Sequence, residues 1–170
     1  MKTSVVAAVA ALALGLAPPP RPNPDDEAKA DLKKMQGVWV LENSVDGYGQ
    51  SSRPPKLPPV WIAGDRLEHG KGGPSYTLRL DPGWSPRRVD IEEVTQGGQG
   101  RVYRGIYRLE GDKLTLCFET AGEGRPDTFT AGTPGAVTEV YERTTLEALE
   151  RERQERTRGQ IFRFGSSGWR

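Results

Sequence analysis

Val102-Tyr103-Arg104-Gly105-Ile106-Tyr107-Arg108-Leu109-Glu110-Gly111-Asp112-Lys113-Leu114-Thr115-Leu116-Cys117-Phe118-Glu119 is the stretch on which the fold turns. Its two arms, Val102 to Leu109 and Lys113 to Glu119, are rich in Tyr, Ile, Leu and Phe, which suit a pleated, half-buried surface. Glu110-Gly111-Asp112 joins them, and glycine reaches the positive φ of a tight hairpin turn without steric penalty. In the second arm Leu114, Leu116 and Phe118 share one face, and Thr115, Cys117 and Glu119 share the other. The first arm is ambiguous. Tyr103 and Tyr107 fall on one face and Arg104 and Arg108 on the other, but turning the tyrosines inward turns Val102 and Ile106 outward.

The same period of two recurs on both sides of this hairpin. Tyr76, Leu78 and Leu80 alternate with Thr77 and Arg79, and Val89 and Ile91 alternate with Asp90 and Glu92. Val60 to Leu67 reads as another strand, which Gly64-Asp65 can break. Trp39, Leu41 and Val45 fall on odd positions with Asn43 among them. A short strand around Thr128-Phe129 and a last one from Val137 to Arg143 bring the count to about eight. Asp46-Gly47, Gly70 to Pro74, Asp81 to Pro86 and the glycines at 97, 98 and 100 are turn signals, and residues 49–59 read as a loop. Short strands with no helices between them predict an antiparallel sandwich or up-and-down barrel. Composition agrees. With 35% apolar residues, 21 Gly and 14 Pro, the chain suits many turns better than a helical bundle.

Helical patterns flank the strands. Asp25 or Asp26 is placed to cap a short helix from Glu27 to Met35, with Ala28, Leu32 and Met35 on one face and Gly37 ending it. Thr144 to Arg158 is dense in Glu and Arg, with Glu147/Arg151 and Glu152/Arg156 in the favourable i,i+4 order. The end, Ile161-Phe162-Arg163-Phe164 with Trp169, is apolar enough to pack, with no indication of where. At the other terminus, Lys2 precedes an unbroken Val5–Leu16 run of Val, Ala, Leu and Gly, and Gly15-Leu16-Ala17 offers small residues for cleavage. This is the pattern of a secretory signal peptide, and the run is short of the ~20 residues needed to cross a bilayer. Pro18 directly after Ala17 is unfavourable for cleavage there. The expected organisation is a signal peptide at 1–17, a proline-rich spacer at 18–25, a barrel domain at 26–143 and a charged helical extension at 144–170. The chain is then exported, with no integral membrane span once the signal is removed.

Candidate chemistry is sparse. Lys and Arg total 24 against 23 for Asp and Glu, and removing residues 1–17 takes Lys2 and balances the two. A neutral chain has no global electrostatic reason to bind nucleic acid. Cys117 is the one cysteine, so an intramolecular disulfide is excluded, and within a strand the ordinary reading is a buried, inert thiol. His69, the single histidine, sits beside Gly70 and reads as an exposed loop residue rather than a metal ligand. There is no Gly-x-Ser-x-Gly motif, and Gly70-Lys71-Gly72-Gly73 lacks phosphate-loop spacing. Asp90, Glu92 and Glu93 offer paired carboxylates, but Asp90 and Glu92 lie opposite Val89 and Ile91, outside the barrel, where a solvated edge outweighs catalysis. Neither catalytic, cofactor nor metal residues are assigned.

Gln36-Gly37-Val38-Trp39 after a short helix resembles the Gly-x-Trp motif of lipocalins. More broadly, residues 30–143 are similar to a lipocalin-like domain of unknown function that recurs in planctomycete bacteria. The matching pieces are Leu32 to Trp39, Asp81-Pro82 with Pro86 and Val89-Asp90-Ile91, Gly105 to Leu114, and Cys117-Phe118 leading to Arg125-Pro126 and Phe129. The resemblance implies an all-β, about eight-stranded antiparallel lipocalin-like barrel, export, and no established activity. It also implies structural residues: Gly37, Trp39, Gly105, Tyr107, Gly111, Asp112, Arg125 and Pro126. Trp39 is expected at the closed end beneath the short helix, with Arg143 laid over its ring in a cation–π contact. Two functions stay open. One is a non-catalytic binding module holding a small, partly apolar ligand in the barrel or at its mouth. The other is a structural or protein-interaction domain of the cell envelope with a filled core, meeting a protein partner through its charged tail.

Overall fold

A computed structural model describes residues 23–52, 57–70, 72–98, 100–120, 122, 124–130 and 132–164, with the side chains of 52 and 156–164 outside the description. The expected signal peptide, most of the proline-rich spacer and Trp169 therefore lie outside the described residues. The elements are α1 (Pro24–Met35), β1 (Gly37–Val45), β2 (Ser51–Ser52), β3 (Val60–Ala63), β4 (Arg66–His69), β5 (Ser75–Asp81), β6 (Arg87–Glu93), β7 (Val102–Glu110), β8 (Lys113–Glu119), β9 (Ala136–Thr144) and α2 (Leu146–Phe164).

Each strand from β3 to β9 pairs antiparallel with the next, and β9 pairs back onto β1, which also pairs with β3. The result is a closed eight-stranded up-and-down barrel, with β2 a two-residue appendage on β1. Closure pairs each of the eight barrel strands on both sides, so only the two-residue β2 is left as an edge. The all-β expectation holds, and so does the count of about eight, but its membership changes. Gly64-Asp65 splits the expected 60–67 strand into the β3–β4 hairpin, with Ala63 opposite Arg66. No strand forms at Thr128-Phe129. That segment runs irregularly over the outside of the barrel.

Register settles the ambiguous arm. Tyr107 lies opposite Leu116 and Leu109 opposite Leu114, and all four belong to the interior core. Tyr103 and Tyr107 therefore face inward, and Ile106 faces outward. It is nonetheless only 1% exposed, because Ile106, Cys117 and Ala136 form a small second core covered by Phe129. Between the tyrosines, Gly105 is required. A Cβ there would stand 2.6 Å from the Cys117 carbonyl oxygen and 2.9 Å from Phe118 Cβ.

One end of the barrel is closed by α1. The helix starts at Pro24, three residues before the sequence-based expectation, and its cap is Asn23 rather than Asp25 or Asp26. The Asn23 side chain accepts from the Asp25 N–H at 3.2 Å. Proline at the first helical position loses no hydrogen bond, because that N–H has no partner within a helix. Asp25, Asp26 and Glu27 in the first turn and Lys33 and Lys34 in the last match the helix dipole. Gln36 then locks the helix end to the β3–β4 turn. Its amide donates to the Gly64 carbonyl at 2.8 Å and accepts from the Gly64 N–H at 2.6 Å.

Arg143 and Trp39 complete this closure. Trp39 is fully buried and donates its indole N–H to the Met35 carbonyl at 2.8 Å. The Arg143 guanidinium carbon lies 4.2 Å from the Trp39 ring centroid. That group also donates to the carbonyls of Lys34 and Gln36, and to Asp112 Oδ1 at 2.9 Å. One β9 side chain thus ties the helix terminus, the Trp ring and the β7–β8 turn, supplying partners for carbonyls that a helix end leaves open.

Candidate functional site

The interior is divided along its length. Toward α1 it is packed solid with Met35, Trp39, Val60, Val89, Tyr107 and Leu114, all buried. Toward the opposite end, where the β4–β5, β6–β7 and β8–β9 connections lie, a cavity of about 280 Å³ opens. Its walls are Leu67, Ile91, Leu116, Phe118, Tyr76 and Tyr103, with His69, Thr120, Glu139 and Tyr141 as the polar contributors.

Period-two geometry explains this lining. Leu67 on β4 pairs with Tyr76 on β5, so both face inward, and His69 shares Leu67's face two residues on. Ile91 pairs with Tyr103 across β6 and β7. Leu116 pairs with Glu139 across β8 and β9, which places a carboxyl on the inner wall. Edge-to-face contacts link four rings around that wall. His69 to Tyr76 is 5.7 Å, Tyr76 to Tyr103 is 6.3 Å, and Tyr103 to Phe118 is 6.0 Å between centroids.

Glu139 is the carboxyl of this lining. Its Oε2 accepts from the Tyr141 hydroxyl at 2.6 Å, and it forms no ion pair among the described residues. Burial pushes the Glu139 carboxyl above the usual range, and the Tyr141 hydrogen bond only partly opposes this. Burial likewise raises the Tyr141 phenol well above its ordinary value, with the nearby Glu139 adding to the effect. His69, half-buried, is shifted the other way, because burial disfavours the imidazolium. The expectation of an exposed loop histidine is therefore corrected: His69 ends β4 and lines the cavity.

The residues singled out from the sequence lie elsewhere. Gly37, Trp39, Arg143, Gly111 and Asp112 gather at the closed end, where Gly111 takes a φ of 60° in the β7–β8 turn. Tyr107 also sits there. Its hydroxyl donates to Asp31 Oδ2 at 2.7 Å, and Arg87 binds the same oxygen. Burial alone raises the Asp31 carboxyl, but hydrogen bonds from Tyr107, Arg87 and Lys34, with the Arg87 charge, outweigh it and hold that carboxyl below its usual value. Arg125 lies on the outside, donating to the carbonyls of Val89 at 2.9 Å and Gly105 at 2.5 Å and pairing with Asp90. The next residue, Pro126, is buried, and Phe129 further along packs on the second core. Glu92, on the same outer face as Asp90, pairs with Arg79 at 2.7 Å. Cys117 is fully buried, and burial raises its thiol.

A second, larger hollow of about 550 Å³ lies at the closed end beside Asp31, Trp84, Arg87 and Phe129. It is an open surface groove whose deepest polar groups, Asp31, Arg87 and Tyr107, already satisfy one another. The open-end cavity differs because, among the described residues, its carboxyl has a single hydrogen bond, from Tyr141, and no counter-ion. Among the described residues no group of three or more His, Cys, Asp or Glu is placed to hold a metal, and no helix is long and apolar enough to cross a membrane. Sequence reasoning passed over Glu139: its spacing of two from Tyr141 puts the two on one face of β9, but which face turns inward is set by the pairing with β8. Set against known proteins, the chain matches no family model, no curated protein and no solved structure.

Proposed function

We propose that this chain is an exported, non-catalytic binding module of lipocalin-like type that holds one small, partly apolar molecule in the open end of its barrel. The observation that supports this reading is the cavity itself. At about 280 Å³ it falls just below the ~300–1,000 Å³ usual for sites of drug-sized ligands, which suits a smaller molecule, and it combines apolar walls with a few convergent polar groups. A barrel serving only as a scaffold has no need for that void, since interiors otherwise pack to crystal-like density. Export rests on the signal-like pattern of residues 1–17.

Thermal-shift titration of the full chain with indole tests the binding reading. Saturating indole should raise the melting temperature, as any ligand selective for the folded state does. Leu116→Trp, which places a ring into the void, should abolish that rise while remaining folded. Equal shifts in both proteins, or no shift in either, would count against an interior site.

A further inference from the structure

We propose that the molecule held in this cavity is a small amine, bound as its ammonium cation on an apolar or aromatic body, with Glu139 as the counter-ion. This rests on the binding reading above and names the ligand's chemistry. A ligand that enters must strip water from the Glu139 carboxyl, whose hydrogen bond among the described residues comes from Tyr141 alone. A neutral apolar molecule leaves that desolvation uncompensated. An anion meets the Glu139 carboxyl directly, with Glu93, the register partner of cavity-lining Tyr76, on the inward face of β6 beyond the lining. Among the described residues no Lys or Arg lines the cavity to receive an anion, and Arg101 at the rim is already held on the Tyr103 ring and the Thr120 carbonyl. An ammonium group supplies both the missing donor and the missing charge.

The walls favour the same chemistry. Tyr76, Tyr103, Phe118 and Tyr141 offer π faces that attract cations, and a cation already lies on one of them: the Arg101 guanidinium carbon is 5.0 Å from the Tyr103 centroid. Size limits the body to one ring and a short chain, since a cavity of about 150 Å³ suffices for benzene and this one is 280 Å³. The titratable or charged groups facing Glu139 or bordering it are His69 on β4, Tyr76 on β5, Glu93 on β6, Tyr103 on β7, Tyr141 on β9 and Arg101 at the rim. Burial raises the Glu139 carboxyl, so amine binding should release a proton from the fraction that is neutral and should weaken as pH falls.

Calorimetric titration with phenethylamine, phenethyl alcohol and phenylacetate distinguishes the possibilities, using the wild-type chain, Glu139→Gln and Leu116→Trp. In the wild type the amine should bind at least about tenfold more tightly than the alcohol, with the acid weakest, as expected for a desolvated charge pair. Glu139→Gln should remove most of the amine's advantage and leave the alcohol within about twofold, because the amide keeps the shape and loses the charge. Leu116→Trp should abolish binding of both. Equal affinity for amine and alcohol, or an amine affinity unchanged by Glu139→Gln, overturns the amine assignment while leaving an apolar binding site intact. No binding by any of the three, together with no indole shift, overturns the binding reading as well.

Discussion

Replacing Arg143 by Met removes the guanidinium that ties the closed end together while keeping most of the apolar stem. Its contacts set the size of the effect. The cation–π contact with Trp39 at 4.2 Å contributes about 1 kcal/mol, because the ring is fully buried but the guanidinium is partly wet. Charge-assisted bonds to the Lys34 and Gln36 carbonyls contribute about 2 kcal/mol together, discounted because water can reach the more exposed Lys34 carbonyl. The Asp112 pair adds no more than about 0.5 kcal/mol, since the Asp112 side chain is 77% exposed. The expected loss is about 3–4 kcal/mol, which for a domain of this size corresponds to a fall of roughly 10–20 °C in melting temperature. Urea denaturation followed by far-ultraviolet circular dichroism measures it directly, with Asp112→Ala alone expected to cost under about 1 kcal/mol. A loss below about 1 kcal/mol for Arg143→Met would refute the view that this residue fastens helix, ring and turn together.

Three further outcomes follow from the same geometry. Gly105→Ala should destabilise by about 3 kcal/mol, because the new Cβ meets a backbone carbonyl at 2.6 Å and β7 or β8 must move; chemical denaturation checks this, and a change near zero would contradict the register. Asp31→Asn should cost about 2 kcal/mol at neutral pH, less than a fully buried pair because the Arg87 side chain is 43% exposed. Asp31 titrates below its unfolded value, so its contribution is complete above the ordinary carboxylate range and is lost on acidification; the gap between wild type and variant in urea melts should close as pH falls, and a constant gap would be inconsistent. Glu139 has the opposite sign. Its folded value is raised, so stability is fullest in acid and declines as pH rises through that value. Glu139→Gln should therefore be more stable than wild type at neutral pH by a margin that vanishes in acid, and a less stable variant would contradict a carboxyl retained at a cost to stability.

Much of the barrel was legible because period two is a direct imprint of a sheet with one packed face. Tyr76-Leu78-Leu80 and Leu114-Leu116-Phe118 point inward because alternation leaves them no other face. Two features hid behind that simplicity. Phe129 looked like part of a strand because it is apolar, yet its surface is used to cover Ile106 and Cys117 from outside. The outward face of β7 and β8 is therefore itself partly apolar, which is why the alternation there was ambiguous. The boundary of α1 was missed because Pro24 suggested spacer, although proline at a first helical position fits well. The candidate site was harder to see. His69 ends a short strand whose turn chemistry suggested a loop, and Glu139 lies in a strand, Val137 to Arg143, whose two faces the sequence pattern did not distinguish. Only closure of the barrel, with β9 between β8 and β1, makes Glu139 interior.

Amide NMR of the labelled full chain titrated with indole tests the central claim most directly. The account predicts saturable shift changes concentrated on the strand segments around Leu67, Tyr76, Tyr103, Phe118 and Glu139, with the closed end around Trp39 and Arg143 unmoved. Changes confined to the outer groove near Trp84 and Phe129, or no saturable change at all, would contradict it.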